Sequence, residues 1–230
     1  MGKVRGKSGI TRLMAICITR GPDSPQRARA LIRDHDVDVR EKNEKGRTAL
    51  HLALGARIEK SLLKWNVYKE DMWPDDTPIS IELIHVLLEV YPDSVKEKNR
   101  HGFLPLHIVC EKNAPIDVIK LLIDVYPDGV KEKNINDSLP LHISCEENAS
   151  IDVIKLLYDK YKEGASISDS FGKAPSQCLP CNSPSLSVFQ SLLFLPTSTT
   201  IPSSPQSFSF GSFGSKSTSS ATQGPITDSK

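Results

Sequence analysis

His107 and Cys110 stand three residues apart, and so do His142 and Cys145. On a helix that spacing places an imidazole and a thiol on one face, and two such pairs together offer the donor set of a Cys2His2 zinc centre. Cys178-Leu-Pro-Cys181 has the spacing of a redox dithiol, in which a thiol at a helix N-terminus ionises more readily. Pro180 and Pro184 crowd that segment, and no strand-helix-strand pattern surrounds it. Neither Gly-x-Ser-x-Gly nor His-Glu-x-x-His occurs, nor a glycine loop able to cradle phosphate. The sequence therefore offers no catalytic set, and the reading of its histidines and cysteines turns on the elements that carry them.

Those elements repeat. Val95-Lys-Glu-Lys-Asn99 returns as Val130-Lys-Glu-Lys-Asn134, Leu104-Pro-Leu-His107 as Leu139-Pro-Leu-His142, Tyr91-Pro-Asp93 as Tyr126-Pro-Asp128, and Asp117 to Leu122 as Asp152 to Leu157. Four strings at one 35-residue offset mean duplicated units, and a period of that size implies a stacked array. Each unit reads as a helical hairpin. Pro105 takes a first helical position, where a missing N–H costs nothing, and Leu106, Val109 and Cys110 then share a face. Asn113 is placed to close that helix in a left-handed conformation. Pro115 opens a second helix with an apolar stripe at Ile116, Ile119, Leu122 and Ile123, widened by Val118 and Leu121, and Pro127 stops it. Leu156 repeats Leu121, and both are expected in the core.

A turn glycine followed two positions later by a Thr-Pro-Leu-His-like string appears as Gly46-Arg-Thr48-Ala-Leu-His51 and as Gly102-Phe-Leu104-Pro-Leu-His107. Asp137-Ser-Leu139-Pro-Leu-His142 is a third copy. On these residues the chain resembles an ankyrin repeat protein, a family whose usual period is 33. The two additional residues fall in connections, where length is tolerated. The resemblance implies an all-α solenoid of stacked helix-turn-helix units and structural histidines at positions 51, 107 and 142, hydrogen-bonded to neighbouring loops. It implies that Cys110 and Cys145 fill small buried positions rather than bind zinc, so neither metal nor cofactor is expected. Leu104 and Leu139 stand where the family prefers Thr and forfeit a hydroxyl cap, and Asp137 replaces the turn glycine at a positive φ.

Carried outward, the register predicts an array over 11–196, with units at about 11–43, 44–99, 100–134, 135–169 and a divergent cap at 170–196. In the cap Gln177 stands where a histidine would be, and Leu186, Val188, Phe189 and Leu192 match Ile151, Val153, Ile154 and Leu157. Helices are expected over 11–18 and 24–34. The second unit holds an insertion over 57–78 that contains Trp65 and Trp73, read as candidate partner contacts or as side chains folded back on the array. Residues 1–10 are expected to form a flexible basic terminus, and 197–230 a disordered Ser/Thr/Pro-rich tail. Ser24-Pro25, Ser183-Pro184 and Ser204-Pro205 have the form of proline-directed phosphorylation sites.

The formal charge of +1 over 230 residues gives no global attraction to nucleic acid or to an acidic membrane. Five cysteines, odd in number, fit reduced thiols, and no stretch reaches the length of a membrane span. An intracellular protein, cytoplasmic or nuclear, is expected.

The function expected is that of a non-enzymatic module binding another protein along the concave face of the stack. The residues expected to meet it are Lys42, Glu44, Lys45 and Arg47, then Lys98, Arg100, His101, Phe103, Glu111 and Lys112, then Lys133, Ile135, Asn136, Ser138, Glu146 and Glu147. Basic tips and an acidic ridge along the first helices suit a partner with both signs of charge. Two alternatives are a nuclear regulatory protein whose basic N-terminus, with Lys3, Arg5 and Lys7, meets nucleic acid or an acidic partner, and a thiol oxidoreductase using Cys178 and Cys181.

Overall fold

Helices in this chain begin at a hydroxyl or at a proline. In the computed structural model, which describes residues 10–33, 37–55 and 79–194, Thr11 Oγ1 accepts the Met14 N–H at 3.2 Å and opens α1 (Arg12–Thr19). Ser80 Oγ does the same for Leu83, at 3.3 Å, and opens α4 (Ile81–Val90). Pro105, Pro140, Pro175 and Pro184 take the first positions of α5 (Pro105–Glu111), α7 (Pro140–Glu146), α9 (Pro175–Cys178) and α10 (Pro184–Phe194). The other helices are α2 (Ser24–Arg33), α3 (Ala49–Ala53), α6 (Ile116–Val125) and α8 (Ile151–Lys160). No strand occurs among the described residues.

The helices end as locally as they begin. Asn113 and Asn148, at φ +48° and +51°, turn the chain after α5 and α7, as the sequence predicts for Asn113. The second helices stop at Val90, Val125 and Lys160 before a tyrosine whose backbone has left the helical region, at ψ 79°, 83° and 82°, and a 3-10 turn follows at Pro92–Lys96, Pro127–Lys131 and Lys162–Ser166. Pro127 thus begins the 3-10 turn, two residues beyond the helix it was expected to stop.

The odd-numbered helices pack in chain order, α1 on α3, α3 on α5, α5 on α7 and α7 on α9, while α2 packs on α4, α6 on α8 and α8 on α10. This makes two layers of helices with the core between and within them. Every residue of α5 from Pro105 to Cys110 is buried, as is every residue of α7 from Pro140 to Cys145, because each of these short helices has neighbours on several sides. The longer α6 buries one stripe, Val118, Ile119, Leu122 and Ile123. Leu121 lies about 130° around the helix from the middle of that stripe and is only half-buried, as is Leu156 in α8. Of the two residues expected to widen the stripe, Val118 is buried and Leu121 is not, and Ile116, expected within it, is half-buried at the start of the helix.

In the last helix pair Phe189 is fully buried, but Val188 is 45 % exposed. Its counterpart Val153 is covered because α10 follows α8, whereas no helix follows α10 among the described residues. Position in a repeat sets burial only while a neighbour exists.

The expectations for residues 1–9, for the insertion at 57–78 with Trp65 and Trp73, and for the tail at 197–230 lie outside the described residues. The described helix 24–33 stops one residue short of the expected 34, which lies outside them as well.

Candidate functional site

The connections between helix pairs are built on one side chain each. Asn43 Oδ1 accepts the N–H groups of Lys45 and Arg47 at 3.0 and 2.9 Å, and Asn99 Oδ1 those of His101 and Phe103 at 2.9 and 3.0 Å. Asn134 holds Asn136 and Ser138 in the same way, and Asp169 holds Phe171 and Lys173. Each bond pair folds the chain into a tight tip whose fourth residue beyond the Asx position is tied back. Gly46, Gly102, Asp137 and Gly172 then take φ between +56° and +75°, the conformation expected for Asp137 as the replacement for glycine.

Successive tips are joined by a backbone rung. Arg100 N–H donates to the Lys45 carbonyl at 3.0 Å, Ile135 N–H to the His101 carbonyl at 3.2 Å, and Ser170 N–H to the Asn136 carbonyl at 2.9 Å. These are the same positions in each copy. A Cβ on Gly102 would come within 2.8 Å of the Ile135 nitrogen, so glycine is needed where one tip approaches the next, whereas nothing lies within 4 Å of a Cβ on Gly172.

Beneath the tips lie the histidines. His51 Nδ1 accepts the Thr48 N–H at 3.3 Å, and His107 and His142 accept those of Leu104 and Leu139, each at 3.1 Å. The proton therefore sits on Nε2, which donates outward: to the Phe103 carbonyl at 3.1 Å, the Ser138 carbonyl at 3.3 Å and the Ile167 carbonyl at 3.1 Å respectively. Burial pushes His51 and His107 down from 6.5 to about 4, and lowers His142 as well. With both nitrogens committed to backbone groups these imidazoles are struts, and the loss of the hydroxyl at Leu104 and Leu139 is offset by burying an apolar side chain there. Gln177 Oε1 accepts the Ala174 N–H at 2.8 Å, so the glutamine keeps the inner half of the histidine's work.

Cys17, Cys110 and Cys145 are fully buried, and burial raises all three thiols, Cys110 to about 12. Cys178 stands at the C-terminal end of α9, its thiol donating to the Ala174 carbonyl at 3.6 Å, and burial raises it too, while Cys181 is exposed. A nucleophilic dithiol needs the opposite shift and the opposite helix end, so the geometry argues against the thiol oxidoreductase reading. Ser24 and Ser183 are buried helix-start hydroxyls, Ser24 Oγ donating to the Ile16 carbonyl at 3.4 Å and Ser183 Oγ to Asn148 Oδ1 at 2.6 Å. Neither is accessible to a kinase in the folded chain, and Ser204 lies outside the described residues.

On the flank of the tips runs a chain of ionic contacts between helix pairs. Glu97 receives Lys42 and, at 2.7 Å, the Tyr91 hydroxyl; Glu132 receives Lys98 at 2.8 Å and the Tyr126 hydroxyl at 3.2 Å. Lys42 first and then Tyr91 hold Glu97 below the usual carboxylate range, and Lys98 does the same for Glu132. Arg40 lies over the Tyr91 ring at 5.3 Å and Lys96 over the Tyr126 ring at 5.8 Å. Lys42 and Lys98 are thus engaged by their own chain, and Lys133 stands 3.8 Å from Asp137.

This architecture, tip, strut and hairpin on a 35-residue spacing, is matched by a family model. Residues 79–170 match the model for ankyrin repeats, in three copies. This stretch is built of ankyrin repeats. A search of curated proteins finds no match to the chain. The ankyrin match begins just before α4 and ends in the fourth tip, yet the Asx tip and the inner hydrogen bond continue on either side of it, at Asn43 with His51 and at Asp169 with Gln177.

Among the residues expected to meet a partner, the tips expose Glu44, Arg100, His101, Ile135 and Asn136, and the ends of the first helices expose Glu146 and Glu147. Lys45, Arg47, Glu111 and Lys112 are half-buried. Ser138 is 7 % exposed, because its N–H is held by Asn134 and its carbonyl by His107, which removes it from any contact surface. Phe103 is half-buried against the His107 ring, with centroids 5.6 Å apart. Phe171, at 73 % the most exposed large apolar side chain among the described residues, was not among the expected contacts; the register alone points to it, since it repeats His101 and Asn136. Charge is unevenly shared. In the first tip Arg40, Lys42, Lys45 and Arg47 outnumber Glu41 and Glu44, and in the second Lys96, Lys98 and Arg100 outnumber Glu97. In the third Lys131 and Lys133 balance Glu132 and Asp137, and in the fourth Lys173 balances Asp169.

Proposed function

We propose that the five helix pairs act as one array, with α1–α2 and α9–α10 as its ends, and that the array binds a protein partner along the row of tips and the adjoining ends of the first helices. Ankyrin repeats are generally protein-interaction modules and typically non-enzymatic. The observation that carries the reading is the division of labour among polar groups. Histidines, Asx side chains and the lysines facing Glu97 and Glu132 are spent on the array itself. Arg100, His101, Glu146 and Glu147, by contrast, are exposed and have no side-chain hydrogen bond or ion pair among the described residues. Cations at the tips and carboxylates at the helix ends favour a partner bearing both signs, with charge setting register and association rate. No described helix is long and apolar enough to cross a membrane.

The test is proximity labelling in cells with the wild-type chain and with Arg100→Glu combined with Glu147→Lys. Both sites are exposed, so the variant is expected to melt as the wild type does. A set of labelled proteins that falls at least about threefold in the variant supports the reading; identical sets at equal expression overturn it.

A further inference from the structure

Ile135 is 63 % exposed and Phe171 is 73 % exposed, on tips three and four, next to the basic tip that carries Arg100 and His101. Large apolar side chains at such exposure on adjacent tips, one residue apart in register, mark a contact surface rather than a core. Resting on the partner-binding reading above, we propose that the occupant of the tip row is an extended acidic peptide segment with one carboxylate followed at intervals of three residues by two apolar side chains. The carboxylate pairs with Arg100 and His101, and the apolar side chains cover Ile135 and Phe171.

The spacing comes from the hydrogen bonds. Each tip is a hairpin of two short extended segments, closed by Asn99 N–H to the Phe103 carbonyl at 3.0 Å in the second tip. The rung from Ile135 N–H to the His101 carbonyl sets the next tip beside it. Two hydrogen-bonded backbone spacings therefore separate equivalent positions, about 10 Å. An extended peptide advances about 3.3 Å per residue, so every third residue meets a new tip. The partner's sign follows from net charge: the first two tips are basic and the next two are neutral, so no tip carries a net negative charge for a cationic peptide to seek. The two apolar side chains on the neutral tips need burial that a purely acidic segment would not supply.

The test uses the full chain and fluorescein-labelled ten-residue peptides of Ser and Gly carrying Asp, then Leu three and six residues later, together with the reversed order. Control peptides replace Asp by Lys, replace both Leu by Ser, or change the interval to two or four. Fluorescence anisotropy in 50 mM and 300 mM salt is expected to show one orientation of the three-interval peptide binding at least about tenfold more tightly than every control, and more weakly at the higher salt. Ile135→Ser and Phe171→Ser are each expected to weaken it at least about fivefold, and Arg100→Glu to remove the salt dependence, with melting temperatures unchanged. Equal binding of all intervals, no binding by either orientation, or unchanged binding to the Phe171→Ser chain overturns the proposal. So does concentration-dependent self-association of the wild type that Phe171→Ser abolishes, since a second copy would then be the occupant. If labelling in cells depends on Arg100 and Glu147 while these peptides fail, the partner-binding reading stands and this proposal alone falls.

Discussion

The Nε2 of His107 lies 3.3 Å from the carbonyl of Ser138, a residue 31 positions later and in the next tip. The same ring accepts the Leu104 N–H on its other side, so a single neutral imidazole closes its own helix and fastens the following repeat. A proton on Nδ1 would turn an acceptor into a donor facing a donor. Burial lowers His51 and His107 to about 4 in the folded chain from 6.5 when free, and lowers His142 in the same direction. Between those values the unfolded chain binds protons that the folded chain refuses. Stability is thus full above about pH 6.5 and falls as pH drops toward 4, by up to about 1.4 kcal/mol per pH unit for each histidine. Glu97 and Glu132, lowered by their lysines, add their own loss only below about pH 4.5. Urea unfolding at pH 7.5, 6.0 and 5.0 reads the histidine part; a flat profile would remove the struts from this account. His107→Gln, which can copy the bond between Gln177 and Ala174 but not the reach to Ser138, is expected to cost about 1–2 kcal/mol at pH 7.5 and to make that profile shallower, His51 and His142 keeping their share.

Burial separates neighbouring leucines in α6. Leu122 is buried and Leu121 half-buried, so Leu122→Ala is expected to cost about 2–5 kcal/mol and Leu121→Ala under about 1.5 kcal/mol. Chemical denaturation of the two variants side by side decides it. Equal losses would mean that the stripe of α6 is drawn in the wrong place.

Glycine is needed at position 102 for two reasons, its φ of +72° and the 2.8 Å approach of an added Cβ to the Ile135 nitrogen, while Gly172 shares only the first. Gly102→Ala is expected to cost about 1–2 kcal/mol from the left-handed conformation alone, and more from the strained rung, whereas Gly172→Ala carries only the conformational part. Amide exchange at Ile135 gives an independent reading, faster in Gly102→Ala and unchanged in Gly172→Ala. Indistinguishable melting of the two variants would contradict the rung.

The thiols should react in the order of their burial. At neutral pH, iodoacetamide is expected to modify Cys181 first and Cys178 more slowly, and to reach Cys17, Cys110 and Cys145 only when the chain is unfolded. Mass spectrometry of a time course distinguishes them. Rapid modification of Cys178 would reopen the dithiol reading.

Much of the fold was legible because repetition turns one sequence into several measurements of the same element. The Pro105 and Pro140 helix starts, the left-handed Asn113, the φ-positive Asp137 and the glutamine that stands in for a histidine all follow from local chemistry. The contact surface was read less well. Ser138 resembles Arg47 and Phe103 in register, yet it is buried, because its neighbours close over a small side chain. Lys42 and Lys98 read as free tip cations, yet each reaches a glutamate one repeat onward. Phe171 carries a weaker sequence signal, because its tip belongs to a copy with Gln177 where the others have a histidine.

What the sequence determined by itself is whatever a residue does to its own few neighbours: where helices start and stop, where φ turns positive, and the 35-residue spacing of the copies. What the tertiary structure decided is which of two similar side chains is spent. The difference between Val153, buried, and Val188, 45 % exposed, is only that one has a helix beyond it and the other has none among the described residues. Exposure and ion pairing are properties of pairs of repeats, and a stack stabilised by nearest-neighbour contacts settles them only when the repeats are side by side.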